Sequence, residues 1–447
     1  MLPVVDKFNL PRQLGEGIVL RWGRSGDAEA LAEFNGRIHS SSAEPDIYVA
    51  NWTREFMSGG HPTTKANDFL IAIDENRGGK VVSSLNLISQ TWSFGGVPFR
   101  VGRPEIVGTD PDYRRKGLVR TQFEIIHALS ASRGEMVQVI TGIPYFYRQY
   151  GYSMGLDLAG GRRVEWHSVP KLEAGKEEIF RLRPATLADM PVLAELYNIN
   201  CSSSLVSRIK DQTEWHYELS HNNDKSVAYY QFFIVETLAG EVAGYTEVIP
   251  GQQIDGPLVV HELAVRQGYS LRAVSIFLLR AFKAMAEDVN KTRKEPLVSL
   301  SFSFGEYHPV YTALGNLFSR TFPPYAFYVR VADLPAFLMH IRPVLERRLV
   351  GSVMENHTGA LRLNFYTNNI SLNFENGKLK EVVPYQAATY QEGDGLFPGL
   401  TFLELLFGRR SLEELRYAYP DCAANNGGGV LLDILFPRKP SHVVPLN

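Results

Sequence analysis

The sequence repeats itself. Residues 18–35 read IVLRWGRSGDAEALAEFN and residues 180–197 read FRLRPATLADMPVLAELY. Aligned, they share Leu20 with Leu182, Arg21 with Arg183, Asp27 with Asp189, Leu31 with Leu193, Ala32 with Ala194 and Glu33 with Glu195. Each stretch predicts a short strand, a turn, and a helix with an acidic first turn. A second match follows in the same order, residues 105–109 (EIVGT) with 262–266 (ELAVR), each preceding a helix. A repeat constrains a fold more than composition does, because both copies must bury equivalent faces. The chain is expected to hold two copies of one α/β unit.

In the first copy, residues 69–74, 80–90 and 99–107 predict strands, separated by turns at 76–79 and 94–98. Val119, Phe123, Ile126 and Leu129 then form the stripe of an amphipathic helix. Residues 137–141 predict a buried strand, and 144–149 a short helix stopped by Gly151. After a charged linker at 171–178 the second copy runs to about residue 334. Beyond it Leu361, Leu363 and Phe365 alternate, as do Ile370, Leu372 and Phe374, and Asn376-Gly377 supplies a hairpin turn. Helices are expected at 400–407 and 412–419, the latter with Ser411 and Glu414 at capping-box spacing, and a last strand at 431–436. The fold class is α/β followed by α+β, with units at 1–170, 179–334 and 335–447.

Net charge is −2, which argues against a nucleic-acid partner, since such proteins usually carry a basic stripe. Two distant cysteines, Cys201 and Cys422, make no disulfide framework and suit a reducing, cytoplasmic setting. No apolar run approaches the ~20 residues of a membrane span, so no membrane partner is expected. No His, Cys and Asp cluster has metal-ligand spacing, so no metal is expected.

The stretch that carries chemistry is 105–152, EIVGTDPDYRRKGLVRTQFEIIHALSASRGEMVQVITGIPYFYRQYGY. Backbone amides at a helix start, supplemented by cations, make a pyrophosphate site. Gly117 would let the backbone approach the phosphates, and Arg115, Lys116 and Arg120 would add charge-assisted contacts. A solvated basic turn before a helix explains an R-x-x-G loop equally well. The aromatic YFYRQYGY that follows the next strand changes that balance.

With that spacing of strand, R-x-x-G helix, strand and F-Y-x-x-x-G-Y, the segment resembles the GNAT acyltransferase superfamily. Val119 stands where many members carry Gly or Ala. The whole chain is similar to the enhanced-intracellular-survival type. YRRKGLVR at 113–120, the repeat at Phe180 and the ending LFPRKPSHVVPLN carry that resemblance. It implies a GNAT domain at 1–170, a degenerate GNAT-like domain at 179–334 and a sterol-carrier-protein-like domain at 335–447.

The resemblance also implies acetyl-CoA as co-substrate, held by Val107, Gly108 and Thr109, by Arg115, Lys116, Gly117, Leu118, Val119 and Arg120, and by Gly142 and Ile143. It places the general acid on Tyr147 and the base on the carboxylate of Asn447, with Glu105 as the rival base. A tyrosine of ordinary pKa about 10 can still protonate a departing thiolate. The implied activity is direct transfer of an acetyl group to an amine of a small molecule or lysine-like acceptor. The implied assembly is a homo-oligomer, hexamers among the options. A non-catalytic acyl-CoA sensor and a lipid carrier built on 335–447 are the alternatives.

In the second copy Arg114 becomes Leu271, Lys116 becomes Ala273 and Gly117 becomes Val274, while Arg272 keeps one charge. That copy is expected to have lost its cofactor site.

Overall fold

The computed structural model describes residues 8–249 and 257–443. Three sheets organise the chain. The first runs in the order β1 (Arg12–Gly15), β2 (Ile18–Trp22), β3 (Phe69–Asp74), β4 (Lys80–Phe94), β5 (Val97–Thr109) and β6 (Val137–Ile140). It then takes in β16 (Tyr325–Val331) and ends on β7 (Ser153–Leu158), while β10 (Val206–Ile209) pairs with the far half of β4. Period-two alternation sorts its side chains. Phe69, Ile71 and Val81 face α1 (Ala28–His39) and α2 (Ile47–Met57), whereas Leu70, Ala72 and Val82 face α3 (Leu118–Ser132).

The second sheet repeats the plan with β9 (Phe180–Pro184), β11 (Gln231–Thr237), β12 (Val242–Ile249), β13 (Leu258–Val265) and β14 (Ser299–Phe302), extended by β8 (Gly161–Glu165) and β15 (Arg320–Phe322). Helices α4 (Met190–Cys201) and α5 (Gln212–Ser220) cover one face, and α6 (Leu271–Val289) with α7 (Pro309–Leu314) the other. One ion pair shows why the repeat is written as it is. Arg21 grips Asp27 at 2.8 Å, and Arg183 grips Asp189 at 2.7 Å. In each copy that aspartate also accepts a backbone N–H three residues back, from Arg24 or from Thr186, which fixes the strand-to-helix turn.

The units exchange strands. Strand β8 follows β7 directly but pairs antiparallel with β14 in the second sheet. Strand β16, from the end of the second copy, returns to lie between β6 and β7 in the first. The third sheet is β19 (Lys378–Pro384), β18 (Asn369–Glu375), β17 (Gly359–Asn364), β20 (Gly395–Leu396) and β21 (Ala423–Ala424). Around it lie α8 (Leu334–His340), α9 (Arg342–Leu349), α10 (Phe402–Leu406), α11 (Leu412–Ala418) and α12 (Asn426–Leu435). Its core is continuous with the first sheet: Phe407 meets Phe94 edge-on at 6.1 Å and stacks on Phe337 at 5.8 Å.

The strand expected at 431–436 is instead helix α12. Asn425 caps it by accepting the Gly428 N–H at 2.7 Å, and Leu431, Leu432 and Leu435 bury one helical face. The helix contains the glycine run 427–429. Here it allows close packing, since a Cβ on Gly428 would lie 2.3 Å from the Asp394 carbonyl. Among the described residues no helix is long and apolar enough to cross a membrane.

Candidate active site

The site begins with an irregularity in β5. The β4–β5 ladder pairs Asn86 with Glu105 but Ser84 with Gly108, so β5 carries an extra residue there. Ile106 absorbs it with φ +51°, a left-handed conformation rare for a β-branched residue. On its other edge β5 pairs with parallel β6 only at Val101 and Gly102. From Arg103 onward the two strands part, and Val107, Gly108 and Thr109 line the opening. Gly108 has a packing reason to be glycine, because a Cβ would approach Ile38 of α1 to 2.8 Å. The Ser83 hydroxyl ties this segment down, donating to the Gly108 carbonyl at 2.9 Å and lying 2.9 Å from the Thr109 hydroxyl.

Helix α3 starts beside that opening. Its N-cap is Gly117, at φ +77° and ψ +5°, and no side chain caps the first amides. Nothing lies within 4 Å of where a Gly117 Cβ would be, so no neighbour crowds the turn into the helix. Arg115, itself at φ +64°, and Arg120 are exposed and form no ion pair with a described residue. Lys116 pairs with the exposed Glu16 carboxylate. An uncapped helix start flanked by two unpaired guanidinium groups suits a polyanion such as a pyrophosphate. The chemistry of this donor set therefore fits coenzyme A.

Tyr147 sits where the parted strands meet the turn after β6. Its ring is 3% exposed, edge-on to Phe123, Phe146, Tyr152 and Tyr328. Gly142, at φ +127°, makes room for it, since a Cβ there would lie 3.3 Å from the Tyr147 hydroxyl. Ile143 is 57% exposed at the rim. Burial raises the Tyr147 phenol above its ordinary pKa, with the Glu105 charge adding to the rise, so the group holds its proton at neutral pH. Glu105 is buried on β5 with Arg103 at 2.9 Å, and the Thr141 hydroxyl reaches across the strand gap to within 3.4 Å of it. Burial pushes the Glu105 carboxyl up, with Arg103 opposing.

The second copy has the strand gap without the cradle. In β13, Glu262 pairs with Glu247 and Val260 with Val248, a bulge like that of β5, and β13 parts from β14 after Val260. Helix α6 starts earlier, however, so that Val274, the counterpart of Gly117, lies inside it. The Ser270 hydroxyl caps its first turn by accepting the Ala273 N–H, and Arg272 donates to the Ala313 carbonyl at 2.5 Å. The amides and the surviving cation are spent on the protein itself.

Three features of the site escaped sequence reading. Tyr328, on the returning strand β16, accepts the Tyr145 N–H at 2.5 Å and packs on Tyr147. Arg103 is fully buried beneath Glu105. Strand β10 extends the first sheet from within the second copy. None carries a local motif; each depends on pairings between distant segments. Asn447 lies outside the described residues. The described tail leaves its own unit and runs beside β10, where Leu205 donates to the Pro440 carbonyl at 2.8 Å and His442 to that of Val206 at 2.7 Å. Among the described residues no group of three His, Cys, Asp or Glu side chains is gathered as metal ligands.

Residues 40–155 match the family model described as an acetyltransferase (GNAT) domain. No curated protein sequence matches the chain. Among solved structures, a conserved protein of unknown function from Enterococcus faecalis V583 superposes with a TM-score of 0.67 at 15% identity, covering 95% of this chain and 97% of its own. A GCN5-related N-acetyltransferase from Kribbella flavida gives 0.64 at 16% identity, covering 96% and 98%. Eis1 from Mycobacterium abscessus gives 0.57 at 13%, covering 96% and 99%. Residues 40–155 thus belong to the GNAT acetyltransferase domain family, within a chain that shares its overall fold with the Kribbella flavida enzyme and with Eis1.

Proposed function

We propose that the chain is an acetyl-CoA-dependent N-acetyltransferase acting on an amine of a small-molecule or lysine-like acceptor. Its catalytic unit is residues 1–170, completed by the returning strand β16. Residues 179–334 are a degenerate copy, and 335–447 a sterol-carrier-protein-like unit. A homo-oligomer is the assembly implied by the resemblance, and the two distant cysteines suit a cytoplasmic setting. One observation carries the reading: a bulged, parted strand, an uncapped helix start and a buried tyrosine converge in the first copy, while the second has capped its helix and buried its Gly117 counterpart.

Bound acetyl-CoA would supply the acetyl group as a thioester. The amides of Leu118, Val119 and Arg120, with Arg115 and Lys116, would hold its pyrophosphate, and Val107–Thr109 would polarise the thioester carbonyl. A carboxylate would take the proton of the attacking amine as its nitrogen bonds to the carbonyl carbon. Tyr147 would give its proton to the sulfur as the carbon–sulfur bond breaks.

For the base we propose the Asn447 carboxylate ahead of Glu105, because Glu105 already serves Arg103. The course of the tail supports this. His442 bridges Ser207 in parallel, and β10 runs antiparallel to β4, so the tail advances from the level of Ser93 toward that of Asn86, the partner of Glu105. Coenzyme A release, followed against a panel of amines, tests the activity. Calorimetry that finds acetyl-CoA bound with no amine ever turned over would favour a non-catalytic sensor.

A further inference from the structure

In the second copy the C-terminal tail reaches the strand that bears the counterpart of Glu105. Glu262 stands on β13 where Glu105 stands on β5, and it is completely buried. Its carboxylate accepts from Asn200 Nδ2 at 2.5 Å and meets His442 Nε2 at 2.5 Å. His442 belongs to the C-terminal tail, and its ring packs on Tyr197 of α4 at 5.8 Å. The tail is secured upstream as well: Arg438 pairs with Glu306 at 2.7 Å and with Glu414 at 2.6 Å, and Lys439 donates to the Gly408 carbonyl at 3.1 Å. Gly408 leaves room for it, since a Cβ there would lie 3.0 Å from the Lys439 carbonyl oxygen.

A buried carboxylate without a counter-charge is costly, and a pair in this setting is broken only at the expense of leaving the other charge stranded. Burial works against the His442 imidazolium, but Glu262 outweighs it and the ring is raised above its ordinary pKa. The same contact holds the Glu262 carboxyl below its ordinary pKa. Both directions describe an ion pair. The glutamate of the second copy is thus paired with a cation of the chain's own tail.

We infer that the second copy is a docking slot for the C-terminal tail, with Glu262 and His442 as positioning residues that anchor the tail just ahead of its last residues. The inference rests on the proposal that the Asn447 carboxylate is the base. It assigns the degenerate copy a task, which is to hold the tail in register with the site of its sister.

The test uses the full chain with Glu262→Gln, with His442→Asn, and with both. His442→Asn alters only the tail, so it answers even where Glu262→Gln fails to fold. Release of Asn447 and Leu446 by carboxypeptidase, and amide exchange over 439–447, report docking. Each variant should speed both by about tenfold or more. Turnover should fall as far as it does on deletion of Leu446 and Asn447, with affinity and KM for acetyl-CoA unchanged. The double variant should be no worse than either single one. A tail as protected in both single variants as in the parent would overturn the inference. A tail released with turnover intact would uphold the docking slot and overturn the tail carboxylate as base.

Discussion

Gly117→Val tests the cradle directly. At φ +77° and ψ +5° the backbone is left-handed, which costs an L residue roughly 1–2 kcal/mol and a β-branched one more. No steric clash contributes, because a Cβ meets nothing within 4 Å. The strain is relieved only by rotating the turn, which swings the amides of Leu118 and Val119 away from the phosphates. Losing one charge-assisted hydrogen bond costs about 1.5–3 kcal/mol, or roughly 10- to 150-fold in Kd. Gly117→Asn is the control, since asparagine tolerates the left-handed region, and it should bind acetyl-CoA within about threefold of the parent. Calorimetry of acetyl-CoA on the three proteins reads the order parent, Asn, Val, with one site per chain. The unfolding midpoint of the valine variant should drop by only a few degrees. Gly117→Val binding as tightly as the parent, or a second site that survives the change, would refute the reasoning.

Tyr147→Phe removes only a hydroxyl from a buried ring; acetyl-CoA affinity should hold while single-turnover acetylation slows by about 10²-fold. Arg103→Met leaves Glu105 buried and uncompensated, and denaturant unfolding should show a loss of about 3 kcal/mol, most of it returned when Glu105→Gln is added. Tail docking should depend on pH with two limits. The His442 pKa is raised on folding, so its contribution is complete below its ordinary 6.5 and fades as pH rises through the elevated value. That of Glu262 is lowered, so its contribution is complete above its ordinary 4.5 and fades as pH falls through the depressed value. Protection of the tail amides, taken relative to their intrinsic exchange rate at each pH, should therefore be greatest between those limits and fall on the alkaline side. Lys210, Glu247, His261 and His308 also act on this pair and will shift the edges.

Much of the chain is legible without coordinates, because the features concerned are local. The repeat appears because one ion pair, Arg21 with Asp27 and Arg183 with Asp189, fixes the same strand-to-helix turn twice within seven consecutive residues. The helix from Leu118, its glycine cap and the tyrosine after β6 are likewise set by neighbours in sequence. Tertiary structure decided the rest. Strand β16 enters the first sheet and β8 the second because each finds a backbone edge far from its own neighbours in sequence, and an edge has no residue signature. The last helix is not distinguishable from a strand in sequence because a run of six residues, five of them apolar, fits either burial pattern. Glu262 illustrates the division most clearly. In sequence it is a residue of a decayed copy; only the fold sets it against His442, because the energy of a buried charge is fixed by what surrounds it in space.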